Sequence, residues 1–398
     1  MKKLFRFLPL MALFVAEMGS PARADAPPGP FFNGFERNTN GWFDITNGGD
    51  GTITRRPSGY PNGGGYANGI PSAAGNWHAR LSGDPCLRVP GSNCYGPYTR
   101  WGGYSSTFPQ GGYLTQVDIY LDVAWAASHS DYRFDWDSAI NDNNGNFRRD
   151  WVFNAGTSPT AATQFYVSPS TNAFRDSTFP ENLCPAPNTP PNACRPPAII
   201  AASGWYTFRH TFRAASFPGC PESTCLAVDF DIFNSSNGAN VAHWTIDSTQ
   251  DPMSMVGGNR YGWFANEEIP DLAIDNSLRT GLCHNGDGDG DVEGNDSRKG
   301  HMHFHKNTCD GSNDDVEEDD DSSGSHFQST STDSGTFTPD DNSQTVTMIG
   351  TGLHNGLPVG FTMIAVDNQG LAPAVFTLIL TDGYSITGSV TSGTVLVQ

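Results

Sequence analysis

The sequence predicts an all-β protein: an N-terminal jelly-roll β-sandwich, then a small C-terminal antiparallel β-meander. Three observations predict this. Short runs alternate polar and apolar residues, which puts one face of each run on a core and the other in solvent. Gly 45 and Pro 28, with 12% aromatics, suit turns between short strands. No convincing stretch keeps a helical period.

The chain opens on Lys2, Lys3 and Arg6, followed by the apolar run "FLPLMALFVA" and the small residues "ARA" at 22–24. This pattern reads as a secretory signal over residues 1–24, too short to span a membrane. The mature chain is therefore expected outside the cytoplasm: secreted, periplasmic or at the cell surface, with no transmembrane segment.

The sandwich is expected over 27–280. Its strands are "YLTQVDIYLDVAW" (113–125), "DYRFDWDSAI" (131–140), "RDWVFNAG" (149–156), "GWYTFRHTFR" (204–213), "LAVDFDIFN" (226–234) and "VAHWTID" (241–247). "NDNNGN" (141–146) reads as a hairpin turn. Composition changes near 280. All nine tryptophans precede it, whereas 284–341 holds 16 acidic residues against Arg298, Lys299 and Lys306. That predicts an acidic Gly/Asp/His-rich linker over 281–325. A small β domain of about six strands follows over 326–398, with a start of its first strand near 300 as the alternative. "HNG", "DNQG", "DG" and "SG" separate its strands, as hairpin turns do.

Three stretches carry a resemblance. "FFNGFERNTNGWFD" (31–44) resembles the opening of many secreted jelly-roll modules. "GWYTFRHTFR" and "VGGNRYGWFANEEIPDLAIDN" (256–276) are similar to later strands of concanavalin-like and carbohydrate-binding-module sandwiches. The segment from "GHMHFH" to the C-terminus is similar to small β-modules of bacterial surface proteins. The resemblance implies architecture and an extracellular setting, and little chemistry.

A formal charge of −20 argues against nucleic acid as partner, since phosphates demand a basic face. The eight cysteines of an exported chain read as disulfides. They fall into four local couples: Cys86 with Cys94, Cys184 with Cys194, Cys220 with Cys225, and Cys283 with Cys309. No C-x-x-C supports a zinc reading.

"NGDGDGDVEGND" (285–296) is the most explicit motif. Asn285, Asp287, Asp289, Asp291, Glu293 and Asp296 fall at the oxygen-bearing positions of a calcium loop, with Gly290 at its sharp turn. Non-helical flanks exclude an EF-hand, and Gly-Asp repeats are also what a solvated spacer looks like. "HMHFH" sets His301, His303 and His305 on one strand face, as zinc or copper ligands or as a polar solvent face. "DDVEEDDDSSGS" (314–325) reads as a solvated loop.

Asp135 and Asp137 share a strand face, and Glu267 and Glu268 add further acids. Paired carboxylates can cut a glycosidic bond. Serine chemistry finds no G-x-S-x-G elbow. The aromatics are more telling. Trp101, Tyr104, Trp136, Tyr261 and Trp263 lie in Gly- and Asn-rich contexts that suit stacking on sugar faces, against the alternative of core packing. The expected function is non-catalytic binding of an extracellular or cell-surface polysaccharide, with calcium-stabilised loops. The alternatives are a polysaccharide lyase or glycoside hydrolase, and a calcium-dependent structural protein of a matrix or surface.

Overall fold

The structure, a computed structural model, describes residues 30–45, 51–60, 69–82, 95–130, 132–157, 164–172, 195–294, 296–308, 314–340 and 343–397. It is all-β. The first fifteen strands form two antiparallel sheets. One holds β1 (Phe31–Asn33), β3 (Ile53–Pro57), β4 (Trp77–Leu81), β6 (Tyr113–Leu121), β11 (Gly204–Ala215), β12 (Cys225–Asn234), β13 (Asn240–Pro252) and β15 (Leu272–Gly281). The other holds β2 (Trp42–Phe43), β5 (Tyr95–Thr99), β7 (Arg133–Asp142), β8 (Phe147–Thr157), β9 (Phe165–Thr171), β10 (Ala198–Ile200) and β14 (Val256–Ala265). The order in the second is β10-β9-β8-β7-β14-β5-β2, so β14 returns to lie between β7 and β5.

The two sheets enclose one apolar core. Phe134, Trp136 and Ile140 of β7 point into it, and Val117, Ile119, Phe208, Phe212 and Phe230 meet them from the first sheet. Thr115 and Ser138 hydrogen-bond across the gap at 2.6 Å, which fixes the inward side of β7. Asp135 and Asp137 therefore face outward. Asp122 caps a one-turn helix, Val123–Ala126, by accepting from the amides of Ala124 and Trp125. A disulfide joins Cys220 to Cys225, as expected. Cys283 is also disulfide-bonded. The remaining cysteines (86, 94, 184, 194 and 309) and the expected signal lie outside the described residues.

The second region corrects the sequence reading. The strands β16 (Asn285–Gly294), β17 (Lys299–Asn307) and β18 (Asp315–Asp320) occupy what reads as a linker. With β19 (Ser325–Asp340), β20 (Ser343–His354), β21 (Leu357–Asp367), β22 (Val375–Leu380), β23 (Ser385–Val390) and β24 (Thr394–Val397) they make one continuous sheet. From β17 to β23 the strands pair in chain order, as in a meander, and the sheet closes into a barrel. β16 pairs with β17 on one side, and on the other with β23 and β24.

Its interior is filled by Met302, Phe304, Phe327, Met348, Phe361, Met363, Phe376 and Leu378. The charged outer ranks of β16–β18 are the reverse of a lipid-facing barrel wall. Among the described residues, no helix is long and apolar enough to cross a membrane. Where β1 meets β19, Phe31, Asn33 and Arg37 of the sandwich and Asp340 and Gln344 of the barrel line a cleft of about 190 Å³.

Candidate functional site

The repeat "NGDGDGDVEG" is a strand, where the sequence reading expects a loop. A loop must wrap its oxygens around one ion. In β16 the residues alternate in strict period two, with Gly286, Gly288 and Gly290 inward and Asp287, Asp289, Asp291 and Glu293 outward. The glycines are there because the barrel is full. A Cβ on Gly288 would lie 2.1 Å from the Phe304 ring, and one on Gly290 would lie 2.1 Å from the Ser392 carbonyl. Asn285 is exposed at the start of the strand, and Asp296 sits in the turn beyond it, ion-paired with Arg298 at 2.6 Å. Among the described residues no three carboxylate, imidazole or thiol groups converge on one point. His301, His303 and His305 do share the outer face of β17, with Met302 and Phe304 buried behind them.

The aromatic candidates divide by face. Trp101 and Trp136 are wholly buried, with ring centroids 5.9 Å apart, so neither can stack on a sugar. Gly262 is required between them, because a Cβ there would meet Trp101 at 2.3 Å and Trp136 at 2.6 Å. Trp263 is one residue further along β14 and points the other way. It lies on the outer face of the second sheet, half-buried, its indole N–H donating to the Gly96 carbonyl at 3.0 Å.

Around Trp263 the registers line up a single rung across the sheet. Phe43 of β2 pairs with Tyr98 of β5, Tyr98 with Trp263 of β14, Trp263 with Asp137 of β7, Asp137 with Val152 of β8, and Val152 with Ser170 of β9. The next rung runs Tyr95, Ala265, Asp135, Asn154, Ser168. Phe43 and Tyr98 stack at 5.2 Å, and Tyr95 lies 5.3 Å from Trp263. The Arg100 guanidinium sits 5.2 Å over the Phe43 ring and 5.4 Å from that of Tyr104. Phe43 is 40% exposed and Tyr98, Tyr95 and Arg100 are half-buried, so this end of the face is open.

The acids lie deeper. Asp135 is 1% exposed and Asp137 4%. The Asn266 amide donates to Asp135. Tyr261 is buried and donates to Asp150 at 3.0 Å, and burial pushes the Asp150 carboxyl up to about 6. Glu267 is fully buried. Its carboxyl accepts from the Ile269 amide at 2.8 Å and is held well above the usual carboxylate range, by burial first and then by Glu268 and Asp135. Glu268 pairs with Arg133 at 3.5 Å. The structure thus brings Asp135, Glu267 and Glu268 together at one end of the sheet and sets Asp137 beside Trp263.

Phe43, Tyr98, Tyr95, Arg100 and Asp150 complete the face, and the sequence reading does not single them out. The alternation in "YGPYT" (95–99) carries a signal for two of them, since Tyr95 and Tyr98 flank a Pro that breaks the simple period.

No family model matches the chain, and no curated protein or solved structure matches it either.

Proposed function

We propose that this protein binds a neutral or amino-bearing polysaccharide outside the cytoplasm, without cleaving it, on the outer face of the second sheet. The reading rests on one observation: the rung Phe43–Tyr98–Trp263–Asp137, in which a strip of open aromatic rings runs perpendicular to the strands onto a carboxylate. Aromatic faces pack against the C–H faces of sugar rings, while carboxylate and amide groups bond hydroxyls. A chain lying across the strands would meet these groups in succession. Three deep carboxylates and a formal charge of −20 disfavour a polyanionic ligand. The return of β14 between β7 and β5 supports a jelly-roll-like arrangement, in keeping with that use.

The test is native affinity electrophoresis on a panel of neutral, amino and acidic polysaccharides, in calcium and again in chelator. Retardation by a neutral or amino glycan is expected, weakened at least tenfold in Trp263→Ala and in Tyr98→Ala. No retardation by any neutral or amino glycan sinks the proposal. The chelator lanes test whether calcium takes part.

A second reading, hydrolysis, is favoured by the buried, proton-holding Glu267 next to Asp135 and Glu268. It requires new reducing ends on incubation with the retained glycan, abolished in Asp135→Asn. Retardation without new ends leaves the binding reading standing.

A further inference from the structure

The cleft between the sandwich and the barrel shares no residue with the aromatic strip, and its polar lining is mainly carboxamide. The turn after β1 brings Asn38 and Asn40, the start of β20 brings Gln344, and the turn between β21 and β22 brings Gln369. Pro30, Phe31 and Phe32 add apolar surface. Arg37 and Asp340 are the charged residues of the lining, and their signs are opposite. The lining is therefore neutral on a chain of formal charge −20.

The fold spends some of these amides and leaves others. Asn33 is spent: its side-chain amide donates to the Asn40 carbonyl at 2.8 Å, and its side-chain oxygen accepts from the Phe35 amide at 2.7 Å. The Asn38 side-chain oxygen accepts from the Asn40 amide at 2.8 Å. These bonds set the shape of the turn before a ligand arrives, which lowers the ordering cost of binding. Gln344 differs. Alternation along β20 turns it inward at the mouth of the barrel, on the same side as Val346 and Met348. It is 5% exposed and lines the cleft, and among the described residues no group hydrogen-bonds its side-chain amide. Burying an amide without a partner is costly, so this one is placed for what enters the cleft.

We propose that the cleft binds one uncharged sugar ring, with Gln344 as its innermost polar contact and Gln369 and Asn40 at its exposed rim. The site goes beyond the aromatic strip and does not depend on it. A hydroxyl both donates and accepts, and so does a carboxamide, so a neutral polyol can meet each of these side chains in either sense. The phenyl rings of Phe31 and Phe32 suit the C–H face of the same ring. A volume of about 190 Å³ is that of roughly six waters at about 30 Å³ each, enough for one pyranose and short of the ~300 Å³ of a drug-sized pocket. One carboxylate does not suit calcium, which takes six to eight oxygens. One guanidinium whose charge is offset within the same lining does not favour an anion.

The test titrates the full chain with D-glucose, D-galactose, D-mannose and N-acetyl-D-glucosamine, and with D-glucuronate and D-glucosamine as charged comparisons, by saturation-transfer nuclear magnetic resonance. Saturable binding of at least one neutral sugar is expected, tighter than that of either charged one. Gln344→Met keeps the bulk and removes the amide. Affinity should then drop at least tenfold, while the melting temperature holds or rises, because the lost amide has no partner in the fold. Gln369→Ala should weaken binding less, and Trp263→Ala should leave it within twofold. No saturable binding of any neutral sugar by the wild-type chain overturns the site. So does undiminished binding by the Gln344→Met/Gln369→Ala double variant, and so does a lowered melting temperature in Gln344→Met, which would make that amide structural. Loss in Trp263→Ala with none in Gln344→Met moves the sugar to the aromatic strip, which overturns the cleft and leaves the binding reading standing.

Discussion

The sandwich sinks its charged side chains, and the barrel displays them. On the second sheet of the sandwich, Asp135, Asp137, Asp150, Glu267 and Arg260 are nearly out of contact with solvent, beside half-open aromatic rings. On the barrel, the carboxylates of β16 and the imidazoles of β17 stand in cross-strand ranks on the outside, while Phe, Met and Leu fill the interior. Burying a charge costs several kcal/mol unless it is paired, and the proposed glycan site draws on acids held at that cost under an open aromatic strip. A charged outer rank costs little, and by itself says only that the barrel wall is wet.

That contrast can be broken from either side. The largest effect is expected from Gly288→Val, which drives a side chain into the Phe304 ring and should cost the barrel about 3 kcal/mol. All nine tryptophans belong to the sandwich, so tryptophan fluorescence should keep its melting temperature while circular dichroism shows an earlier transition. A shared shift of both signals would show that the two regions unfold as one.

The next effect belongs to the sandwich. His210 sits among Phe153, Phe212 and Phe230, with no hydrogen-bond partner for either ring nitrogen among the described residues. Burial lowers its pKa from 6.5 to about 3. Below pH 6.5 the unfolded chain takes up a proton that the fold refuses, so stability is lost as the pH falls toward 3. Between pH 6.5 and 4.5 the loss is on the order of 2 to 3 kcal/mol. His210→Leu should remove most of that slope from denaturant midpoints. An unchanged slope would place the acid sensitivity elsewhere.

The barrel should lean the other way. Inside it, Glu318 accepts from Tyr384 at 2.9 Å, and burial, with Asp320 and Asp319 adding, raises its pKa from 4.5 to about 7. The unfolded chain ionises above 4.5 while the fold keeps its proton, so stability present in acid is lost as the pH rises toward 7. Glu318→Gln keeps the Tyr384 hydrogen bond and should gain on the order of 2 kcal/mol at neutral pH, with no gain at pH 4. An equal gain at both pH values would show that ionisation is not the cause. The smallest effect is Asp122→Ala. It removes the cap of the one-turn helix and should cost about 1 kcal/mol, visible only in tryptophan fluorescence.

Much of this contrast is legible in the residues. Period two gives the strands of both regions, and the end of the tryptophans near 280 marks the boundary. "HMHFH" puts its imidazoles and its apolar pair on opposite faces, as found. The Gly-Asp repeat misleads for a physical reason. Glycine has low strand preference, and only the folded neighbours explain it here: the Phe304 ring leaves no room for a Cβ on Gly288, nor the Ser392 carbonyl for one on Gly290. Aromatic facing is equally illegible. In "FDWDS" both faces of β7 carry plausible ligand groups, and it takes the opposite sheet to show that Trp136 is the inward one. The rung from Phe43 to Asp137 joins residues far apart in the chain, and no local pattern records it.

The pairing of Gly286 with Val397 has a kinetic meaning. Neighbouring hairpins of the barrel can zip locally, but the ring seals only when β16 meets β23 and β24, segments roughly 100 residues apart, an ordering cost of about 4 kcal/mol in loop entropy alone. Until then β16 and β24 each offer a bare row of amides and carbonyls, the natural template for a neighbouring chain. The barrel's slow step and its aggregation hazard are therefore the same event. A chain cut before Thr394 would keep the pairing of β16 with β23 but leave the edge of β16 from Gly286 to Asp289 bare.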